Sequence, residues 1–137
     1  MNNMAIIIGS CTDITYRQVN YIRNNLISPV NSSTGHFNIQ LFDLTGNNFA
    51  VITKKDFILS LKEYSVLVLS GGETAYTVLD NADFGYLESG PHILPLISTG
   101  IIYGGILDGK KYIIKGGSIG DESIYKKIIE YADINMR

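Results

Sequence analysis

The stretch that decides the fold is Val66-Leu67-Val68-Leu69-Ser70-Gly71-Gly72-Glu73-Thr74. Its first four residues form an unbroken apolar run, which suits a strand buried on both faces, as in a parallel sheet. The run ends in small residues, and a helix is predicted from there to about Asp80. Two other segments repeat the pattern. Ala5-Ile6-Ile7-Ile8 runs into Gly9-Ser10, then a helix from about Ile14 to Ile27 with Val19, Ile22 and Leu26 on one face. Tyr112-Ile113-Ile114 runs into Lys115-Gly116-Gly117-Ser118-Ile119-Gly120, then a helix from about Glu122 to Ala132 with Ile124, Ile128, Ile129 and Ala132 inward. Strand and helix alternate, so the expected fold is α/β: a layered sandwich with a largely parallel or mixed sheet and helices on both faces.

The intervening segments are less regular. Pro29 and the polar stretch 31–35 stop the first helix. Phe37, Ile39 and Leu41 alternate with Asn38 and Gln40, a half-buried strand. Thr45-Gly46-Asn47-Asn48 reads as a turn. Thr53 and Asp56 have capping-box spacing, opening a helix that carries Phe57, Ile58, Leu61 and Tyr64. Tyr86-Leu87 reads as a short strand. Ile93 to Ile106 is apolar with glycine breaks and no readable register, and Asp108-Gly109 is a turn between two β-like segments.

Length and composition bound the function. The 137 residues suit one domain, and 45% apolar content supports a core. A net charge of −2 gives no basic stripe for nucleic acid. One cysteine, Cys11, excludes an intramolecular disulfide framework, and with only His36 and His92 the chain lacks the ligands of an ordinary structural zinc site. No residue is assigned to a metal. The run Met4 to Ile8 is too short for a signal peptide and lacks a basic flank. Ser89 to Leu107 holds no charged Asp, Glu, Lys or Arg, but its prolines and glycines argue for buried strand and loop over a membrane span. The expected compartment is the cytoplasm, with neither a membrane nor a nucleic acid as partner.

If the three apolar strands run parallel, their glycine-rich junctions share one sheet edge. That edge, at the carboxyl ends of the strands, is where α/β proteins bind ligands. Glycine lets backbone approach a ligand, and helix N-termini offer N–H groups to an anion, so a phosphate-bearing ligand fits. Neither glycine cluster matches a P-loop or a dinucleotide fingerprint. Lys115 reads either as a point charge for phosphate or as a strand-end lysine in solvent. Glu73 reads either as an acid for a magnesium-bound water or as half of a capping box with Ser70, and the cap is favoured. Ser10 and Thr74 suit phosphate, ribose or helix caps. Cys11 has no convincing His and acid pair, and His36 and His92 have no evident partner. Tyr103 and Tyr112 suit packing better than stacking on a base.

Taken together, the junctions resemble the C-terminal, nucleotide-binding domain of the four-carbon acid sugar kinase family. The resemblance rests on Ile6-Ile7-Ile8-Gly9-Ser10 with Thr15 and Gln18, on Ser70-Gly71-Gly72-Glu73-Thr74 after its apolar strand, and on Lys115 to Asp121. It spans about Ile6 to Ala132. Gly116 and Ile119 depart from the family's usual Ser and Phe, and its proline-rich segment is only partly matched, around Pro91 and Pro95.

The resemblance implies ATP and Mg2+ as cofactors. It implies nucleotide contacts at Ser10, Gly71, Gly72, Glu73, Thr74, Lys115, Gly116, Gly117 and Gly120, with no catalytic residue named. Residues 1–137 would be a single nucleotide-binding domain. The large N-terminal domain that holds the sugar acid in that family is expected to come from elsewhere, as the missing half of a longer protein or as a partner chain. The expected activity is the ATP-binding half of a kinase acting on a hydroxyl of a small sugar acid, inactive alone. A homo-oligomer through the uncovered docking face is a further expectation. The alternatives are a non-catalytic nucleotide-binding or regulatory module, and a plain interaction domain.

Overall fold

The computed structural model describes residues 2–9, 12–27, 33–34, 37–92, 95 and 97–136. The elements run β1 (Asn2–Ile8), α1 (Asp13–Tyr21, continued by a π-helical turn Ile22–Leu26), β2 (Ser33–Thr34) and β3 (Phe37–Asp43). A 3-10 stretch (Gly46–Thr53) leads to α2 (Lys55–Ser60, with a 3-10 turn Leu61–Glu63), β4 (Val66–Ser70) and α3 (Gly72–Asn81). The chain ends with β5 (Tyr86–Ser89), β6 (Ile97–Tyr103), β7 (Lys111–Lys115) and α4 (Ile124–Asn135).

One sheet has the order β2-β3-β1-β4-β7-β6-β5. Its centre, β3-β1-β4-β7, is parallel, while β2, β6 and β5 pair antiparallel at the flanks. The continuous apolar runs are the reason. Met4 to Ile8 and Val66 to Leu69 are all fully buried, which only a sheet covered on both faces provides. Alternation then divides them between two cores. Met4, Ile6, Ile8, Val66, Val68 and Ile113 pack with Val19 and Ile22 of α1 and Ile124, Ile128 and Ile129 of α4. Ala5, Ile7, Leu67, Leu69 and Tyr112 face Ile52, Ile58 of α2 and Ala75, Val78 and Leu79 of α3. The result is the expected layered sandwich.

Several local expectations change. The turn at Thr45–Asn48 is instead the start of the 3-10 stretch, because Phe49, Val51 and Ile52 behind it have core to cover. The Thr53 capping box does not form. Thr53 is still inside the 3-10 stretch, where its hydroxyl donates to the Ala50 carbonyl at 2.8 Å, and the extended residue before α2 is Lys54. The strand within 93–106 starts at Ile97 and pairs antiparallel with β7 through a tight connection in which the Asp108 carboxylate accepts from the Gly104 N–H at 2.7 Å. Among the described residues no helix is long and apolar enough to cross a membrane.

Candidate functional site

The parallel register places the three junctions side by side. Ile8 pairs with Ser70, and Ser70 pairs with Lys115, so β1, β4 and β7 end in one row. The ladder continues one step past the strands: the Gly9 N–H donates to the Ser70 carbonyl (3.5 Å) and the Gly71 N–H to the Lys115 carbonyl (2.8 Å). Beyond this row the chain diverges. β1 and β7 lead to α1 and α4 on one face, whereas β4 leads to α3 on the other. Diverging connections on neighbouring parallel strands open a crevice at the sheet edge, the usual ligand position in this architecture.

Each junction gets its glycine for a different reason. A Cβ on Gly9 would lie 2.3 Å from the Thr74 hydroxyl and 2.8 Å from the Phe49 ring, so internal packing forbids it. Thr74 is therefore buried and packed against Gly9, and it does not cap α3. Gly71 sits at φ 100°, ψ 135°, a conformation glycine adopts without strain. Gly72 has helical backbone and open space around its Cβ position. Among the described residues nothing requires a glycine there.

The favoured Ser70–Glu73 capping box is also absent. Ser70 is the buried last residue of β4, the cap of α3 is Gly71 with no side-chain hydrogen bond, and Glu73 stays exposed in the first turn. The strand claims Ser70 before the helix can use it.

The third junction is organised from beneath. Lys115 is fully buried, which corrects its reading as a lysine in solvent. Its Nζ donates to the carbonyls of Gly116 (2.6 Å), Gly117 (3.2 Å) and Ile119 (3.1 Å). Those three bonds use all three ammonium protons. The Tyr125 ring of α4 lies 5.6 Å from the same nitrogen. Burial lowers the Lys115 pKa to about 8. Burial also pushes the Tyr125 hydroxyl well above the tyrosine range.

Helix α1 adds two more donors. The Thr15 hydroxyl donates to the Gly117 carbonyl at 3.2 Å. The Gln18 amide nitrogen faces the carbonyls of Ile119 (3.1 Å), Gly120 (3.3 Å) and Asp121 (3.0 Å). Both side chains are buried. The carbonyls of Gly116, Gly117, Ile119, Gly120 and Asp121 thus all turn inward. In a trans peptide the next N–H points the opposite way. The N–H groups of Gly117, Ser118, Gly120, Asp121 and Glu122 therefore point away from the clamp, and Gly120 adopts φ 86° to make the bend. Successive outward N–H groups form a concavity that accepts an anion.

Of the other sequence candidates, Ser10, Cys11 and His36 lie outside the described residues. His92 is an exposed loop residue. Tyr112 is core, and Tyr103 stacks on Tyr86 at 5.0 Å, at the end of β6 opposite Ile97, whose partner is Lys115. The candidate contacts that come together on one edge are Gly71, Gly72, Glu73 and the loop Lys115 to Gly120. Sequence reading used Thr15 and Gln18 as motif positions without seeing their job. The signal was present: two polar residues three apart on a helix face that otherwise points into the core.

The fold recurs in solved structures. A protein from Bordetella bronchiseptica, described as a domain of unknown function (DUF1537) with bound citrate and as a domain-swapped dimer, superimposes with TM-score 0.77 at 12% identity, over 97% of this chain and 40% of that one. A second crystal form of that protein gives TM-score 0.73 at 13% identity, over 96% and 41%. A Haemophilus influenzae protein, also assigned to DUF1537, gives TM-score 0.64 at 15% identity, over 95% and 40%. The chain thus spans about two-fifths of the length of these structures. No curated protein sequence matches it. A family model does match, over residues 49–124, which is more than half of the chain and takes in both the Gly71-Gly72 junction and the clamped loop. By that match the chain belongs to the nucleotide-binding C-terminal domain family.

Proposed function

We propose that this domain is the ATP-binding half of a kinase that phosphorylates a hydroxyl of a small, four-carbon sugar acid. The observation that carries the reading is the single row of glycine junctions in which Gly72 is open to a ligand and the loop after β7 directs its N–H groups outward. A triphosphate chain suits donors of this kind. In the proposed complex, the backbone at Gly72, Gly117 and Gly120 takes the phosphates, with Gly71 and Gly116 flanking them. Among the described residues no group of three or more His, Cys, Asp or Glu forms a metal cage. The reading places magnesium on the phosphates, with exposed Glu73 available to its water shell. Bound in that way, magnesium supplies neutralisation of charge during phosphoryl transfer.

The chain's own residues position and stabilise charge, and the acceptor hydroxyl needs a second domain. That the related structures are more than twice as long as this chain supports a separate substrate half, whether in one polypeptide or as a partner chain. The citrate in the Bordetella protein is itself a hydroxy acid, which favours a carboxylate-bearing substrate.

Thermal unfolding with Mg-ATP, Mg-ADP and Mg-GTP tests the reading. A ligand at 100 times its dissociation constant adds about 2.7 kcal/mol of stability. Saturable stabilisation by adenine nucleotides, without phosphotransfer by this chain alone, is the expected result. Absence of any shift at millimolar Mg-ATP, both alone and with a substrate domain supplied, overturns it.

A further inference from the structure

The resemblance made Lys115 a phosphate ligand, yet its ammonium faces the wrong way for that role. It is fully buried, and its protons are spent on the carbonyls of Gly116, Gly117 and Ile119. We propose that Lys115 is a positioning residue that never touches the phosphates: with Thr15 and Gln18 it clamps the carbonyls of the loop inward and so holds the loop's N–H groups outward for the anion. The inference rests on the nucleotide reading above and changes how that site works. Positive charge reaches the ligand through oriented peptide dipoles.

Three observations carry it independently of any ligand. The clamp comes from two elements, β7 and α1, and converges on five of the six carbonyls from Gly116 to Asp121, so it fixes the loop as a unit. A buried ammonium is costly unless its donors are satisfied, and these carbonyls satisfy it. The hydroxyls of Ser70 and Tyr125 and the Gln18 carbonyl oxygen are buried with no hydrogen-bond partner among the described residues. The buried layer beneath the loop is therefore polar, and its cation is satisfied by donation to the loop carbonyls.

The test compares wild type with Lys115→Met, which keeps an unbranched stem of four heavy atoms and removes the donors. Heteronuclear NOE values of the Gly117, Ser118 and Gly120 amides report loop rigidity without ligand, and Mg-ATP titration reports affinity. The expected result is a loosened loop within an unchanged sheet, together with at least a tenfold loss of Mg-ATP affinity. Thr15→Val removes only the hydroxyl and is expected to loosen Gly117 and Ser118 with a twofold to fivefold loss. If Lys115→Met does not fold, Thr15→Val and Gln18→Met decide the question. A loop that stays rigid in these variants overturns the clamp, and lost affinity with a rigid loop assigns Lys115 to the phosphates directly. If wild type binds no Mg-ATP while the variants loosen the loop, the clamp stands and the nucleotide reading falls.

Discussion

The junction after β4 and the loop after β7 lie side by side on one sheet edge, yet they are prepared in opposite ways. At Gly71-Gly72 the backbone does the work: one residue in a conformation reserved for glycine turns the chain directly into α3, and no side chain caps the helix. At Gly116 to Asp121 side chains do the work: Lys115, Thr15 and Gln18 hold the carbonyls from below. Both arrangements leave N–H groups directed outward. The first is insensitive to chemistry elsewhere but intolerant of a Cβ at Gly71. The second tolerates some substitution along the loop but depends on three side chains, two of them from distant α1, and on the charge of the third.

The largest expected effect separates glycines that are conformationally required from those that are not. Gly71→Ala and Gly120→Ala place a Cβ on residues at φ 100° and 86°. Such backbone costs on the order of 1–3 kcal/mol for a non-glycine residue. Gly120→Ala adds a collision, because its Cβ would lie 2.6 Å from the Ile124 side chain. Urea unfolding should show lower midpoints for both, with Gly120→Ala the worse. Gly116→Ala is the control within the loop. Its φ is not in the left-handed region and, among the described residues, its Cβ meets only the Ile119 side chain, at 2.7 Å, so the loss should be the smallest of the three, at the lower end of the about 1–3 kcal/mol typical of overpacking. Equal losses in all three would mean that the two regions are not built differently.

A pH series sharpens the comparison next. Burial lowers the Lys115 pKa from 10.5 in the free side chain to about 8 in the fold. Between those values the unfolded chain holds a proton that the folded chain has released. Stability therefore gains from Lys115 as pH rises through that window, and the gain is absent below about pH 8. The same deprotonation leaves two donors for three carbonyls, so loop rigidity and Mg-ATP affinity should fall over the same range. Tyr125, the titratable group that faces the amine from α4, stays neutral throughout because burial raises its pKa. Ser70, Thr15 and Gln18 do not titrate there. Measured as wild type minus Lys115→Met, stability and affinity should move in opposite directions with pH. Parallel movement would remove Lys115 from control of the loop.

The same contrast explains what could be read from the sequence. The order of layers was legible because Ile6-Ile7-Ile8 and Val66 to Leu69 have one plausible home, a strand buried on both faces. The shared edge followed from parallel pairing alone. The direction of Lys115 was not legible. Strand periodicity says nothing about whether a side chain at the last residue curls under the next loop, and the acceptors that draw it there are backbone carbonyls with no sequence signature. Both capping boxes were misread for a related reason: Ser70 and Thr53 had the right spacing, but a strand and a 3-10 stretch had already claimed them. Spacing records which bonds are available, and the neighbouring element decides which one forms.

The smallest effect on stability is the most informative about the ligand. Gly72 has helical backbone and, among the described residues, nothing within 4 Å of where a Cβ would stand, so no contact among them accounts for the glycine. Replacing glycine by alanine at a compatible position stabilises by about 0.4–1 kcal/mol, mainly by restricting the unfolded chain. Gly72→Ala should therefore raise the midpoint of unfolding slightly. If the open space is where phosphate approaches the backbone, the same methyl group should weaken Mg-ATP binding, and Gly72→Glu should abolish it while the domain stays folded. A glycine that costs stability and can be removed without loss of binding would be an ordinary turn residue. A glycine whose removal stabilises the fold and ruins binding is there for the ligand, and the site is then located on this edge by a residue the fold itself does not need.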